Sequence, residues 1–360
     1  MEGAISMGDT GQLPGVDVDY LERVLLDLCR IPSPTGMTDQ AVAYVERALA
    51  DLGVASRHTR KGALIATFEG RDRQAGHRTL SAHVDTLGAM VSFIKPSGRL
   101  QLTMIGGYAW NSIEGEYCTI HSQDGRTHTG TILIVASSNH VHGERTAKSE
   151  RTAETVEVRV DARTASAEET RALGIEVGDY VSLEARTTVA VGGFVKSRHL
   201  DDKAAVACLL AAAKALAGAP PAVTTHFFIS NYEEVGHGAS AGIPPETAEL
   251  IAVDMAAIGD GYQTSDEFSV TICVKDSSGP YDHALSSRLR RLAAANGIPY
   301  KVDTYRHYGS DASAALRAGG EFRAALLGPG VDASHSMERT HRDALVATTN
   351  LCLAYILDPV

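Results

Sequence analysis

HLDDKAAVACLLAAAKALAGAPPAVTTHFFISNYEEVG, residues 199–236, is the stretch that decides the fold. Two acidic residues, Asp201 and Asp202, open a run that carries no charge from residue 204 to 213. A helix that is apolar all round is buried all round, and one is expected over 203–216. The AGAPP segment, residues 217–221, stops it. The apolar run 224–230 then reads as a buried strand, which runs directly into Glu233 and Glu234. In α/β folds, functional loops cluster beyond the carboxyl ends of strands.

The same alternation continues outward on both sides. Ahead of this stretch, helices are expected at 19–29 and 38–52, and strands at 54–59, 63–68 and 79–85. Behind it, strands are expected at 251–254, 269–274, 301–305 and 323–327, with helices at 284–295 and 344–357. The texture differs between residues 96 and 190. Short alternating runs such as EYCTIHS and GTILIVAS dominate there, with one brief helical piece, EETRALG. The fold expected is a three-layer α/β/α domain made of residues 1–95 and 191–360. A small β-rich domain, residues 96–190, is inserted into it.

Composition excludes several functions. The 360 residues carry a net charge of -11, which argues against a nucleic-acid partner. No segment approaches the roughly 18 apolar residues of a membrane span, and residues 1–16 read as a loose leader without signal-peptide character. Cys29, Cys118, Cys208, Cys273 and Cys352 form no CxxC pair and read as buried free thiols of a reducing compartment. A cytoplasmic location without a membrane partner is the expectation.

Five short motifs carry chemistry. In SAHVDTLG, residues 81–88, His83 and Asp85 lie two apart on a strand and share a face. A carboxylate beside a ligating histidine can fix its tautomer. Asp201 or Asp202 alone would serve as a helix cap. Together they repel, and a cation would relieve this. Glu233 and Glu234 can divide labour, one binding metal and the other moving protons. Asp254 ends the apolar strand of LIAVDMA and needs a partner or a metal, because an unpaired buried carboxylate is costly. DASHSMERTH, residues 332–341, offers His335, with His341 as a competitor. Mixed nitrogen and oxygen ligands suit zinc, cobalt or manganese better than magnesium or calcium. His140 and His142 in the insert lack matching carboxylates and read as surface or interface residues.

The ordered set HxD, DDK, EEVG, VD and HS followed by Glu338 resembles the tetrahedral (TET) aminopeptidase family, which includes glutamyl and deblocking aminopeptidases. The resemblance covers nearly the whole chain after the leader. It implies a metal-dependent aminopeptidase with two divalent ions, zinc or cobalt first and manganese next. Asp201 would bridge the ions, with His83 and Asp254 completing one site and Glu234 and His335 the other. The ions would activate a bridging water, and one of them would hold the substrate's free α-amino group. Glu233 would be the general base and acid, and Asp85 would support His83. Asp202 would sit beside the bridging residue, where related enzymes carry a non-proline cis bond. The insert would be a dimerisation domain, and six dimers would form a hollow dodecamer that admits short peptide substrates. Departures from the family pattern bear on substrate preference: Lys203 stands where arginine is frequent, and His237 where an arginine is usual. Asp311 in HYGSDAS matches an aspartate of the family's glycine-rich loop, without an assigned role. The same metal kit serves carboxypeptidases and N-acyl-amino-acid deacylases, and a non-catalytic scaffold is a third reading.

Overall fold

The computed structural model describes residues 13–262 and 265–359. Its centre is a mixed sheet in which Leu64–Phe68, Thr225–Ser230, His77–His83, Thr247–Val253 and Arg323–Asp332 lie side by side. The last four run parallel. Leu64–Phe68 and Val270–Asp276 flank them antiparallel. Strands buried on both faces read as continuous apolar runs. Phe227 and Ile229 accordingly pack on one side of the sheet, and Phe228 on the other.

The helices Val18–Arg30, Asp39–Asp51, Leu200–Ala215, His283–Ala295 and Arg342–Leu357 build the larger core on the first face. Leu200–Ala215 is buried from Leu200 to Ala213, enclosed between the sheet and its neighbour helices. Each leucine buried there contributes about 1.5–3 kcal/mol. The second face is thinner, with Asp311–Arg317 covering Ala252, Phe228 and Leu326.

A closed barrel stands apart from the sheet. Its strands follow the order Gly88–Ile94, Leu100–Ile105, Val156–Val160, Thr127–Ile134, Tyr117–His121 and Tyr180–Leu183. Alternate residues, among them Val91, Leu102, Ile120, Ile132, Val158 and Val181, fill a separate core. The barrel begins at Gly88, ahead of the change of texture near residue 96, because its first strand follows directly on the His83 motif.

Three elements depart from the expectations. HYGSDAS, read as a loop, opens the helix Asp311–Arg317, with Ser310 and Ser313 in a reciprocal capping box. Seven residues are too few to display helical periodicity. The strand expected to end at residue 327 continues to Asp332 through Gly328, Pro329 and Gly330. Gly328 is not a breaker there. A Cβ at this position would strike the carbonyl oxygen of Asp254, so the backbones approach as only glycine allows. The third is Glu338–His341, a strand that pairs with Phe194–Ser197.

All five cysteines are free and buried. Among the described residues, no helix is long and apolar enough to cross a membrane.

Candidate metal centre

His83, Glu234, Asp254 and His335 lie at or just beyond the ends of strands of the central sheet, and Asp201 lies at the start of the helix laid across it. His83 ends its strand and is buried. Its Nδ1 meets the backbone oxygen of Asp85 at 2.9 Å, while the Asp85 carboxylate stands 3.5 Å away. The carbonyl thus does the orienting expected of the carboxylate. The Asp85 carboxylate instead accepts from the Thr35 hydroxyl at 2.7 Å and from the backbone N–H groups of Glu233 and Glu234 at 3.1 and 3.2 Å. It therefore holds the turn that carries both glutamates.

Asp201 lies between the two histidines. One carboxylate oxygen is 3.2 Å from His83 Nε2 and the other 3.3 Å from His335 Nε2. The Asp201–Asp202 peptide is cis. Donor atoms of His83, Asp201 and Asp254 lie within 4.8 Å of one another, and so do those of Asp201, Glu234 and His335. Glu233 Oε2 is 3.8 Å from His83 Nε2. His341 is elsewhere: it caps the last helix and bonds to the Gly192 carbonyl. His140 is exposed and His142 half-buried on a short helix of the barrel segment.

Glu338 has no role that the motif alone assigns. Its two carboxylate oxygens accept from the backbone N–H of Asp201 at 3.2 Å and of His335 at 3.1 Å. Its position three residues beyond His335 was the only signal. The strand that turns it inward is a tertiary feature.

The donor set fits divalent cations. His83 Nε2 and Glu234 Oε1 are buried without a hydrogen-bond partner among the described residues. Such groups are costly to leave unsatisfied. Burial pushes the Asp254 carboxyl up to about 7, and the Asp201 charge adds to this. Burial likewise raises Glu233 and Glu234 well above the ordinary carboxylate range. Asp201 moves down despite its burial, because the His335 and His83 imidazoles beside it favour its charged form. A divalent cation relieves this crowding of carboxylates by displacing their protons.

Asp201, Glu233, Glu234, Asp254 and His335 open onto a cavity of about 420 Å³ that Met255, Tyr308 and His307 also line. A larger cavity, about 990 Å³, lies beside the barrel and is lined by none of the metal set. Donor chemistry, not size, marks the site.

The M42 glutamyl aminopeptidase family matches residues 62–351. YhfE of Bacillus subtilis (strain 168), which carries a provisional aminopeptidase name, is 49% identical over 339 residues, covering 94% of this chain and 97% of its own. The glutamyl aminopeptidase of Lactococcus lactis subsp. cremoris is 24% identical over 65% of this chain and 66% of its own. Among solved structures, the aminopeptidase APDkam598 of Desulfurococcus kamchatkensis superposes with a TM-score of 0.85 at 21% identity, covering 95% of each chain. The TET1 peptidase of Pyrococcus horikoshii gives 0.82 at 24% identity, covering 94% of this chain and 99% of its own. These two share the fold. On the family match and the YhfE relationship together, the chain belongs to the M42 glutamyl aminopeptidase family and is a metal-dependent aminopeptidase.

Proposed function

We propose that the enzyme removes N-terminal residues from short peptides at a two-ion centre, with Glu233 as general base and acid. Asp201 would be shared between the ions, His83 and Asp254 would hold one, and Glu234 and His335 the other. The observation that carries this reading is the Asp201 carboxylate, with one oxygen toward each histidine at 3.2 and 3.3 Å. Zinc or cobalt suits the nitrogen and oxygen donors best, with manganese next.

When bound, divalent ions polarise the scissile carbonyl and lower the pKa of a water molecule. The remaining work falls to the chain. Glu233 takes a proton from the attacking water and returns it to the leaving amine as the peptide C–N bond breaks. Asp85 keeps Glu233 in place through its backbone N–H. Asp201, Glu234 and Asp254 supply negative charge that holds the cations.

The reading extends to assembly. The insert expected over residues 96–190, together with the barrel's first strand Gly88–Ile94, would form the dimerisation domain between the two parts of the catalytic domain. Phe93 and Tyr117 expose large apolar or aromatic surface on the barrel, 49% and 64% respectively, which supports an interface there. The P. horikoshii relative assembles into a tetrahedron or a large octahedral shell. A dimer building a tetrahedral dodecamer in the cytoplasm is the proposed state. Light scattering decides its mass.

The deciding experiment is an assay of free-amino and N-acetylated peptides, before and after removal of metal by a chelator. Release of the N-terminal residue from free-amino peptides, lost on chelation and restored by zinc or cobalt, is expected. Cleavage only of acylated peptides would mark a deacylase, and hydrolysis indifferent to chelation would refute the metal mechanism.

A further inference from the structure

The two halves of the metal set are supported differently. His83 and Asp254 take their contacts from the central sheet: His83 Nδ1 meets the Asp85 carbonyl at 2.9 Å, and the Asp254 N–H donates to the Leu327 carbonyl at 3.0 Å. Glu234 and His335 share some of that support, through their N–H groups on the Asp85 and Glu338 carboxylates at 3.2 and 3.1 Å, but they also lean on the barrel. Gly107, just past the strand Leu100–Ile105, accepts at its carbonyl oxygen from His335 Nδ1 at 2.5 Å. That bond leaves Nε2 as the lone-pair nitrogen facing Asp201 and Glu234. Gly106 packs against Glu234. A Cβ built on Gly106 would stand 3.4 Å from the Glu234 carbonyl oxygen and 3.6 Å from its Cβ, and it would press on the Leu87 side chain.

A buried arginine ties the two parts together. Arg198 donates to the Ser336 carbonyl at 3.1 Å, immediately after His335, and to the barrel carbonyl of Ser112 at 2.5 Å. The same guanidinium lies 3.2 Å from the carboxylate of Glu116 in the barrel. His335 itself has a left-handed backbone, with φ at 62°. Its ring is held by Gly107 and its chain by Arg198.

We infer that the barrel turn at Gly106 and Gly107, fastened by Arg198, positions the Glu234–His335 half of the centre for its ion. The affinity of that half depends on the docking of the barrel, whereas the His83–Asp254 half does not. Arg198 is a positioning residue, since its guanidinium is engaged by the Ser336 and Ser112 carbonyls and by Glu116. The inference rests on the two-ion reading above.

The test is a cobalt(II) titration of metal-free protein, followed by visible absorption and calorimetry. Wild type should show two binding steps, and His335→Ala identifies the step belonging to the second half. In Arg198→Met and in Gly106→Ala that step should weaken by about tenfold or more, while the other step stays within twofold. Arg198→Lys, which keeps one donor to the carbonyls, should recover part of the loss. Equal weakening of both steps, or no weakening of either, overturns the inference. If Arg198→Met does not fold, Gly106→Ala and Arg198→Lys decide. A wild type that binds fewer than two ions overturns the two-ion reading and this inference with it.

Discussion

At the scale of single residues, the site separates atoms that hold charge from atoms that move protons. Glu233 has a half-buried carboxylate near His83 and opens onto the cavity. Glu233→Gln keeps the shape and removes the base. It should retain metal while kcat falls by about 10²–10⁴-fold, measured on an aminoacyl substrate beside a metal analysis. Asp85 acts one step back. In Asp85→Asn an amide NH₂ would face an N–H donor of the 233–234 turn, where a carboxylate oxygen now accepts. A fall of about 10–100-fold in kcat is expected, with peptide KM little changed. A variant with unaltered kcat would show that the turn does not need this acceptor.

At the scale of elements, three adjacent strands share a polar thread across the sheet. Thr67 on Leu64–Phe68 bonds to His226 Nδ1 at 3.0 Å, and His226 Nε2 bonds to His77 Nδ1 at 2.9 Å. Burial, with the neighbouring His77, lowers the His226 pKa to about 4. The unfolded chain binds this proton near 6.5 and the folded chain only near 4, so the stability is present above 6.5 and is lost as pH falls through that window. The whole shift corresponds to about 3 kcal/mol. Urea unfolding of His226→Gln should show a flatter acid limb between pH 6.5 and 4 than wild type. An unchanged slope would assign the acid sensitivity to other groups.

At the scale of the whole molecule, the helix Leu200–Ala215, the sheet and the barrel meet at one point, where buried carboxylates repel one another. Ions that bind the folded chain alone stabilise it by RT ln(1 + [L]/Kd), about 4 kcal/mol at a thousandfold excess over Kd. Chelation should therefore lower the melting temperature by about 5 °C or more. Zinc or cobalt should restore it, and magnesium at the same concentration should not. Scanning calorimetry of the three forms checks this. A melting temperature indifferent to chelation would place the metal set outside the folding energetics.

Much of this could be read from the sequence. Apolar runs such as Phe227, Phe228 and Ile229 determined the buried strands, because a strand covered on both faces carries apolar residues at consecutive positions. An uncharged run such as 204–213 determined a helix enclosed on all sides. Carboxylates set directly after such runs marked where a site would lie, since their desolvation has to be answered by something. Contacts between distant segments were decided only in the tertiary structure. Asp311–Arg317 was too short to display a period, and the strand that runs on through Gly328 does so with the Asp254 backbone packed against it. The cradle of Glu338, the barrel carbonyl on His335 and the clamp of Arg198 join residues that lie far apart in the chain or on elements without a local signal. Local sequence determines which elements form and which ends carry charge. Which atoms then face one another depends on how the elements pack, and no local pattern encodes that.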